Sequence, residues 1–272
     1  MAFDKILIVG FGTMTGAMVE GWLAAGSDPS RFEVYHPRTG EVAHGLKVHN
    51  KWPTGHFDAV LLGVKPHMVD DVAEGLEPIL GPDTVLISVL AGNELESYTL
   101  RFPRAAGIVR FMPNLAAALR KSPNALIAAG LSDEHRDAVT QLASDIGTAE
   151  WLGNEAHFDL VTALAGSGPG FVYRFTDALA SGAASLGLPE DQAARLAVAM
   201  VEGAGALSAA SEYSPKELAQ RVASPGGMTQ KGLDVLDKSG ALNALMTETL
   251  RAARDRGAEM AEAARGENRK NG

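Results

Sequence analysis

Short apolar runs alternate with helix-like segments over residues 1–153. The run at residues 59–64, Ala-Val-Leu-Leu-Gly-Val, is uninterrupted, which is typical of a strand covered on both faces. Strands are predicted at residues 6–9, 32–35, 46–49, 59–64, 84–90, 108–111 and 125–128. Helices are predicted between them, at residues 14–25, 68–76, 94–100 and 134–146. This alternation predicts an α/β domain at residues 1–153, built on a parallel sheet with helices on both faces.

From residue 155 onward the strand signals stop and helical periodicity takes over. One apolar stripe at helical spacing consists of Phe171, Phe175, Leu179, Ala183 and Leu186. A second consists of Leu242, Leu245, Thr249, Ala253, Gly257 and Met260. The segments between them are rich in Ala and Gly, which let helices approach closely. These features predict an all-α domain at residues 154–272, and its apolar faces predict a homodimer or higher homo-oligomer through these helices.

The bulk composition excludes several classes of function. The net charge of −9 argues against a nucleic-acid or anionic-membrane partner, because either requires a basic face. The chain has no cysteine, which removes disulfides and zinc-thiolate sites and suits a reducing cytoplasm. No apolar stretch approaches the length of a membrane span, and the histidines form no metal-spaced pair on a predicted helix. We therefore expect a cytoplasmic protein without a metal site.

The stretch Ile-Val-Gly-Phe-Gly-Thr-Met-Thr-Gly places two glycines between the first strand and the first helix. In Rossmann-like units the first of these glycines, here Gly10, makes a tight turn, and the second, here Gly12, lets a pyrophosphate approach the backbone. The helix N-terminus that follows attracts the anion. The third position of the pattern is Thr15, with Gly16 one place late. The motif predicts dinucleotide binding; a purely structural turn is the alternative.

The end of the second strand bears on the choice of cofactor. An NAD site usually has an acidic residue there, but Glu33 lies inside the strand. Beyond the strand end, Arg38 can pair with a 2′-phosphate and Thr39 can add a hydroxyl. This pattern favours NADPH, with NADH possible. The alternative is that Arg38 is a solvated loop residue.

Two Gly- and Pro-containing turns open helices in the C-terminal half, Gly-Ser-Gly-Pro at residues 166–169 and Ser-Pro-Gly-Gly-Met-Thr at residues 224–229. Each can be a simple helix cap with an early proline. Each also offers backbone N–H groups to an anion. In the second turn the N–H groups of Gly226 and Gly227, with the hydroxyl of Ser224, are predicted to hold a substrate carboxylate. Thr229, one turn further on, is then placed to hydrogen-bond a reacting nitrogen.

The combination of GFGTM, GVKPH, MPN, ALAGSGPGFVY and VASPGGMTQKGL resembles the pyrroline-5-carboxylate reductase family along nearly the whole chain. The resemblance implies reduction of a cyclic imine to L-proline by NAD(P)H. It implies a catalytic Thr229 beside the imine nitrogen and Glu212 as the substrate-facing glutamate. It also implies that Ser224, Gly226, Gly227 and Met228 line the substrate site. The alternative, from the residues alone, is that Glu212 is a solvated glutamate at a helix end.

The resemblance and the strand-end positions together assign the predicted cofactor contacts. These are Gly10, Phe11, Gly12, Thr13, Met14, Thr15, His36, Arg38, Thr39, Asn50, Gly63, Val64, Lys65, Pro66, Val89, Leu90, Ala91, Met112, Pro113 and Asn114.

The chain departs from the family pattern at several positions. Leu115-Ala116 stands where Thr-Pro is usual, Met228 fills the variable place of the SPGG loop, and Gly170 and Gly63 each replace an alanine. Three rivals stay open: a reductase of a related cyclic imine, a β-hydroxyacid dehydrogenase and a non-catalytic NADPH-binding regulator. The dehydrogenase is disfavoured because residues 172–188 contain Arg174 but no lysine.

Overall fold

The computed structural model describes residues 3–268, and side chains as far as residue 262. The chain forms two compact units. The first runs to Ser167 and takes in the chain again from Ala253, and the second is Gly168–Ala252. The domain boundary after residue 153 stays a prediction.

The first unit is built on an eight-stranded sheet of order β3-β2-β1-β4-β5-β6-β7-β8. Its strands are β1 (Ile6–Val9), β2 (Phe32–Tyr35), β3 (Lys47–His49), β4 (Ala59–Leu62), β5 (Val85–Ser88), β6 (Gly107–Met112), β7 (Ser122–Ala129) and β8 (Gly147–Trp151). The chain order reverses between β1 and β4, which makes the carboxyl ends of these two strands the point where such sheets bind ligands.

The α-helices of this unit are α1 (Thr13–Ala24), α2 (Val69–Leu76), α3 (Leu95–Arg101), α4 (Asp133–Ser144) and α5 (Phe158–Val161). Successive residues of β1 point to opposite faces: Ile6 and Ile8 pack with α1 and α4, while Leu7 and Val9 pack with α2 and α3. Both faces are therefore buried, which explains why the central strands are continuously apolar.

The α/β prediction is confirmed, and every predicted strand and helix of the first 153 residues is present within a few residues of its expected bounds. Two features differ. The sheet is not wholly parallel, because β7 runs antiparallel to β6. The strand β8 was not predicted at all. It lies at the edge of the sheet with alternate residues exposed, so its sequence Gly-Thr-Ala-Glu-Trp lacks the apolar run of a central strand.

The second unit is helical, as predicted. It contains α6 (Gly168–Ser185), α7 (Glu190–Ala210), α8 (Pro215–Val222), α9 (Met228–Leu236) and the first part of α10 (Ala241–Asn268). The helices α6 and α7 pack against each other, and the small side chains of Ala193 and Ala197 are buried. The expectation that no apolar stretch approaches a membrane span is wrong for one helix of the described chain, since α7 is long and apolar enough by length and composition. One such helix is weak evidence, because helices of soluble proteins meet the same criteria.

Many large apolar side chains of the second unit are exposed. They include Val172, Tyr173, Phe175, Leu179, Leu196, Val198, Met200, Leu207 and Leu245. An extensive apolar surface of this kind is typical of an association interface.

An ion pair between the buried Arg110 and Glu155, whose side chain is 30% exposed, holds the segment before α5 against the sheet. Arg110, in the centre of β6, has a side chain 3% exposed, and its Nη1 lies 2.6 Å from Oε1 of Glu155. The same carboxylate oxygen accepts the backbone N–H of Leu95 at 2.8 Å, and the guanidinium lies 3.7 Å from the ring centroid of Phe158. The pair thereby joins β6, the start of α3 and the segment before α5.

Replacing Glu155 with Ala leaves the Arg110 guanidinium buried without its carboxylate. We expect this change to lower the free energy of unfolding by about 2–4 kcal/mol, since breaking a buried pair costs far more than breaking an exposed one. Denaturant unfolding at fixed protein concentration measures the loss. Asp70→Ala, which breaks the ion pair with Arg101 at a carboxylate 56% exposed, is the matched control and should cost less than about 1 kcal/mol. Equal losses would contradict the assignment.

Candidate functional site

The turn between β1 and α1 has the geometry that the sequence predicts. Gly10 has a φ of +89°, and a Cβ placed on it would lie 2.9 Å from Cγ1 and 3.0 Å from N of Val64. A Cβ on Gly12 would meet nothing within 4 Å. The first glycine is therefore required by the backbone and its neighbour, while the second keeps one side of the helix start open.

Gly12 is the residue that precedes α1, and Thr15 stabilises this helix start. The hydroxyl of Thr15 accepts the N–H of Gly12 at 2.9 Å. Oγ1 also lies 3.2 Å from the carbonyl oxygen of Gly12 and 3.3 Å from that of Gly10. Thr13 and Met14 begin the helix, so their N–H groups have no acceptor within it and are available to an anion.

A cavity of about 490 Å³ lies beside this turn, at the carboxyl ends of β1, β2 and β4. The predicted residues that line it are Gly10, Phe11, Gly12, His36, Arg38, Gly63, Val64 and Lys65. Tyr35, Pro37, Met68, Asp71 and Val72 also line it and were not predicted. Arg38 and Lys65 are exposed and form no ion pair within residues 3–262. The cavity thus combines an open helix start with two available cations, as a pyrophosphate with a further phosphate requires.

An aromatic stack forms one wall near the cavity. The rings of Tyr35 and Trp52 stack with centroids 3.7 Å apart. The Trp52 indole lies so close to Gly75 in α2 that no Cβ would fit there. In the sequence, Tyr35 at the end of β2 was the residue that could have indicated an aromatic wall at this place.

The loop after β2 is shaped by residues that were predicted to touch the cofactor. The Asn50 amide nitrogen donates to the carbonyl oxygens of His36 at 3.0 Å and Thr39 at 2.6 Å. Nδ1 of His36 accepts the N–H of Thr39, and the Thr39 hydroxyl donates to the Glu41 carbonyl. The side chains of Asn50 and Thr39 therefore brace the loop, and Arg38 is left as its available donor.

Glu33 is held inside the first unit and is not available to a ribose. Burial by itself would raise the pKa of Glu33, but hydrogen bonds from His49 and Lys47 and the charge of Lys5 hold that pKa below its usual range. The carboxylate is 2.5 Å from Nε2 of His49 and 3.3 Å from Nζ of Lys47. This local charge balance agrees with the sequence expectation that Glu33 is not the acidic residue of an NAD site.

The predicted cofactor contacts after β5 differ in burial, since Val89 and Ala91 are half-buried and Leu90 is buried. Of the predicted residues Val89, Leu90 and Ala91, Leu90 is buried and its N–H lies 3.3 Å from the Ser88 hydroxyl. Ser88 also hydrogen-bonds Tyr98 at 2.6 Å, and burial raises the pKa of Tyr98 to about 12 despite that bond.

The side chain of Asn114, after β6, hydrogen-bonds backbone groups through both its oxygen and its nitrogen. Its Oδ1 accepts the N–H of Ala116 at 2.9 Å, and its Nδ2 donates to the carbonyl of Ala165 at 2.9 Å. Met112 is 7% exposed, and Pro113 is also buried. In this structure the Met-Pro-Asn stretch braces the loop that follows β6.

In the second unit, the loop before α9 is a tight turn. Gly226 has a φ of +71°, and the N–H of Gly227 donates to the Ser224 carbonyl at 2.9 Å. The Gly227 N–H therefore has an acceptor inside the turn, contrary to the expectation that it is free for a carboxylate. The N–H groups of Met228 and Thr229, in the first turn of α9, are among those without an intrahelical acceptor.

The side chains at the start of α9 are open to solvent in the single chain. Met228 is 93% exposed, and Thr229 is also exposed. Glu212, in the short loop between α7 and α8, is exposed and forms no ion pair among the described side chains. These three side chains are accessible and uncommitted, whereas those of Asn50 and Thr39 are not.

A second cavity, of about 580 Å³, lies near the amino ends of β1 and β4. It is lined by Phe3, His56, Asp58, Asp83, Ser132, Glu134, His135 and Ala138. Ligands of open α/β sheets bind at the opposite strand ends, so this cavity is not the dinucleotide site. In the part of the chain that the structure describes, no group of three or more His, Asp or Glu residues is arranged to hold a metal ion.

The sheet order, the glycine turn and the cation-lined cavity define a dinucleotide-binding protein of the Rossmann class. Residues 5–92 match the family described as "NADP oxidoreductase coenzyme F420-dependent", and residues 155–260 match "Pyrroline-5-carboxylate reductase dimerisation". The chain belongs to the pyrroline-5-carboxylate reductase family, since curated reductases match it at 33–34% identity along most of its length. Because the dimerisation match covers most of the C-terminal helices, homo-oligomerisation through them is supported.

Individual relatives agree with this membership along the chain. The pyrroline-5-carboxylate reductase of Pseudomonas aeruginosa is 33% identical over 270 residues, which cover 96% of this chain and 98% of the relative. Pyrroline-5-carboxylate reductase 2 of Bacillus subtilis is 34% identical over 86% of this chain and 87% of the relative. The solved structure of a pyrroline-5-carboxylate reductase from Coxiella burnetii is 30% identical, with a TM-score of 0.88 over 95% of this chain and 99% of that one.

Two glycines near the start of α1 provide a matched test of the cavity. We expect Gly10→Ala to weaken NADPH binding at least about tenfold, because it forces a left-handed backbone on alanine and presses against Val64. Gly16→Ala meets only Phe11 Cε1 at 3.8 Å. It should keep NADPH binding and raise stability by about 0.5–1 kcal/mol. Fluorescence titration with NADPH measures the first effect and thermal unfolding the second. Unchanged NADPH affinity in Gly10→Ala would contradict the placement of the site.

Proposed function

We propose that this protein reduces 1-pyrroline-5-carboxylate to L-proline with NADPH. One observation carries the proposal: a cavity with an open glycine turn and two available cations, in a chain that matches a pyrroline-5-carboxylate reductase over 96% of its length. In this reaction the imine carbon gains a hydride and the imine nitrogen gains a proton. The bound dinucleotide supplies the hydride, and the protein supplies orientation and electrostatics.

The residues around the cavity fit a phosphorylated dinucleotide. The open side of Gly12 and the N–H groups of Thr13 and Met14 accommodate the pyrophosphate. Arg38, on the loop braced by Asn50, is positioned after β2 and is available to a 2′-phosphate. This availability favours NADPH over NADH, with NADH as the weaker alternative.

The loop before α9 is the part of the chain best suited to a small carboxylate. The first-turn N–H groups of Met228 and Thr229 and the hydroxyl of Ser224 are donors, and the turn held by Gly226 and Gly227 fixes their spacing. We assign the Thr229 hydroxyl as the group that hydrogen-bonds the imine nitrogen and relays its proton. Glu212, exposed and unpaired among the described side chains, is assigned to the positive charge that nitrogen carries.

We further propose that the functional protein is a homodimer or higher homo-oligomer and acts in the cytoplasm. The exposed apolar side chains of α6 and α7 support association, because a single chain leaves them in water. The absence of cysteine is compatible with a reducing compartment.

The reaction and the role of Thr229 are tested together. Wild-type protein with NADPH and pyrroline-5-carboxylate should oxidise NADPH, followed as loss of nicotinamide absorbance. We expect Thr229→Ala to lower kcat by roughly 10²- to 10⁴-fold, the range for a positioned acid–base group, and Thr229→Ser to recover much of the loss. Activity unchanged in Thr229→Ala would discard the proton relay. A wild type that binds NADPH but oxidises none with this substrate would redirect the search to related cyclic imines and then to a regulatory role.

The preference for NADPH is tested at Arg38. We expect Arg38→Ala to weaken NADPH binding roughly 10- to 100-fold, the worth of charge-assisted hydrogen bonds, with NADH binding nearly unchanged. Titration of both dinucleotides gives the ratio. Arg104→Ala removes an exposed arginine from the loop before β6 and should leave both affinities unaltered. Equal losses for NADPH and NADH in Arg38→Ala would show that Arg38 does not read the 2′-phosphate.

A further inference from the structure

Thr15 and Gly63 meet at one point in the structure. Thr15 stands where the dinucleotide motif has glycine or alanine. Thr15 is 1% exposed, in the first turn of α1, and Gly63 directly follows β4. A Cβ placed on Gly63 would overlap the Cγ2 methyl of Thr15, and it would lie 3.2 Å from the carbonyl oxygen of Gly10.

The methyl and the hydroxyl of Thr15 are both bonded to Cβ, and each makes a different contact. The methyl fills the space above Gly63, and the hydroxyl accepts the N–H of Gly12 at 2.9 Å. Because both groups are attached to Cβ, a single χ1 rotation moves them together. A side chain at position 63 that displaces the methyl therefore also pulls the hydroxyl away from Gly12.

We propose that Thr15 and Gly63 are a coupled pair that positions the pyrophosphate turn for the dinucleotide. Gly63 leaves room for the rotamer in which Thr15 holds the Gly12 N–H. That bond fixes the residue at which the chain turns into α1, and so fixes the direction of the Thr13 and Met14 N–H groups. The pair acts through the loop, so Thr15 and Gly63 are positioning residues for the cofactor. This inference rests on the proposed dinucleotide binding.

The coupling differs from simple packing because it links position 63 to the affinity for the cofactor. The Gly63→Ala change overpacks the contact with Thr15, and we expect it to weaken NADPH binding roughly tenfold or more and to lower Tm by at least about 3 °C. Thr15→Ser removes the methyl and keeps a hydroxyl. In that background Gly63→Ala should bind NADPH within about twofold of Thr15→Ser alone, the scatter expected when no contact is shared.

Thr15→Val is the complementary variant to Thr15→Ser, because it removes the hydroxyl where Thr15→Ser removes the methyl. It keeps both branches of the side chain and removes the hydroxyl, so the space above Gly63 stays filled while the Gly12 N–H loses its acceptor. We expect a several-fold loss of NADPH affinity, of the order of one hydrogen bond.

The decisive experiment is the double-mutant cycle of Thr15→Ser and Gly63→Ala, read by NADPH titration and by thermal unfolding without cofactor. The expected result is that Gly63→Ala is harmful in the wild-type background and nearly neutral in the Thr15→Ser background, in both measurements. Additive effects, or a Gly63→Ala protein that binds NADPH like wild type, would overturn the coupling. The unfolding cycle tests the contact even if the wild type binds no NADPH, an outcome that would instead reject the proposed function.

Discussion

The close approach of the carboxyl ends of β1 and β4 is the constraint on which the nucleotide site depends. These strands are hydrogen-bonded neighbours, so the residues that follow them, Gly10 and Gly63–Val64, meet directly. No side chain fits on Gly10 against Val64, and none fits on Gly63 against Thr15. The two backbones approach so closely at this junction that only glycine fits at positions 10 and 63. The space beside Gly12 stays open, and a ligand can occupy it.

Polar residues of the first unit divide into those that build its loops and those that remain free. Some side chains donate hydrogen bonds to backbone carbonyls of nearby loops, as those of Asn50, Thr39 and Asn114 do. Arg38 and Lys65 form no ion pair within residues 3–262. This division is physically reasonable, because a loop that must hold a charged ligand needs its geometry fixed before the ligand arrives. Fixed geometry lowers the ordering cost of binding.

The helical unit has a different source of stability. Its buried positions are small, as at Ala193 and Ala197, and most of its large apolar side chains are exposed in the single chain. Hydrophobic burial is the main favourable contribution to folding, so a unit with so little of it depends on covering those faces. The match to a dimerisation family over residues 155–260 agrees with this requirement.

Local patterns in the chain were enough to predict seven of the eight strands of the first unit, the helices between them, the glycine turn and the family. Each of these features depends on residues that are close together in the sequence: apolar runs, two glycines after a strand, and short motifs at helix starts. The same patterns correctly placed Glu33 inside a strand. They missed β8, because an edge strand with one exposed face carries a weak apolar signal.

The availability of polar groups, by contrast, depends on the tertiary structure. The amide of Asn114 donates to a carbonyl 51 residues away, the N–H of Gly227 is taken up inside its own turn, and the dependence of Thr15 on Gly63 joins different elements. Hydrogen bonds and steric contacts of this kind are set by distances in space, and no local pattern in the chain reports those distances.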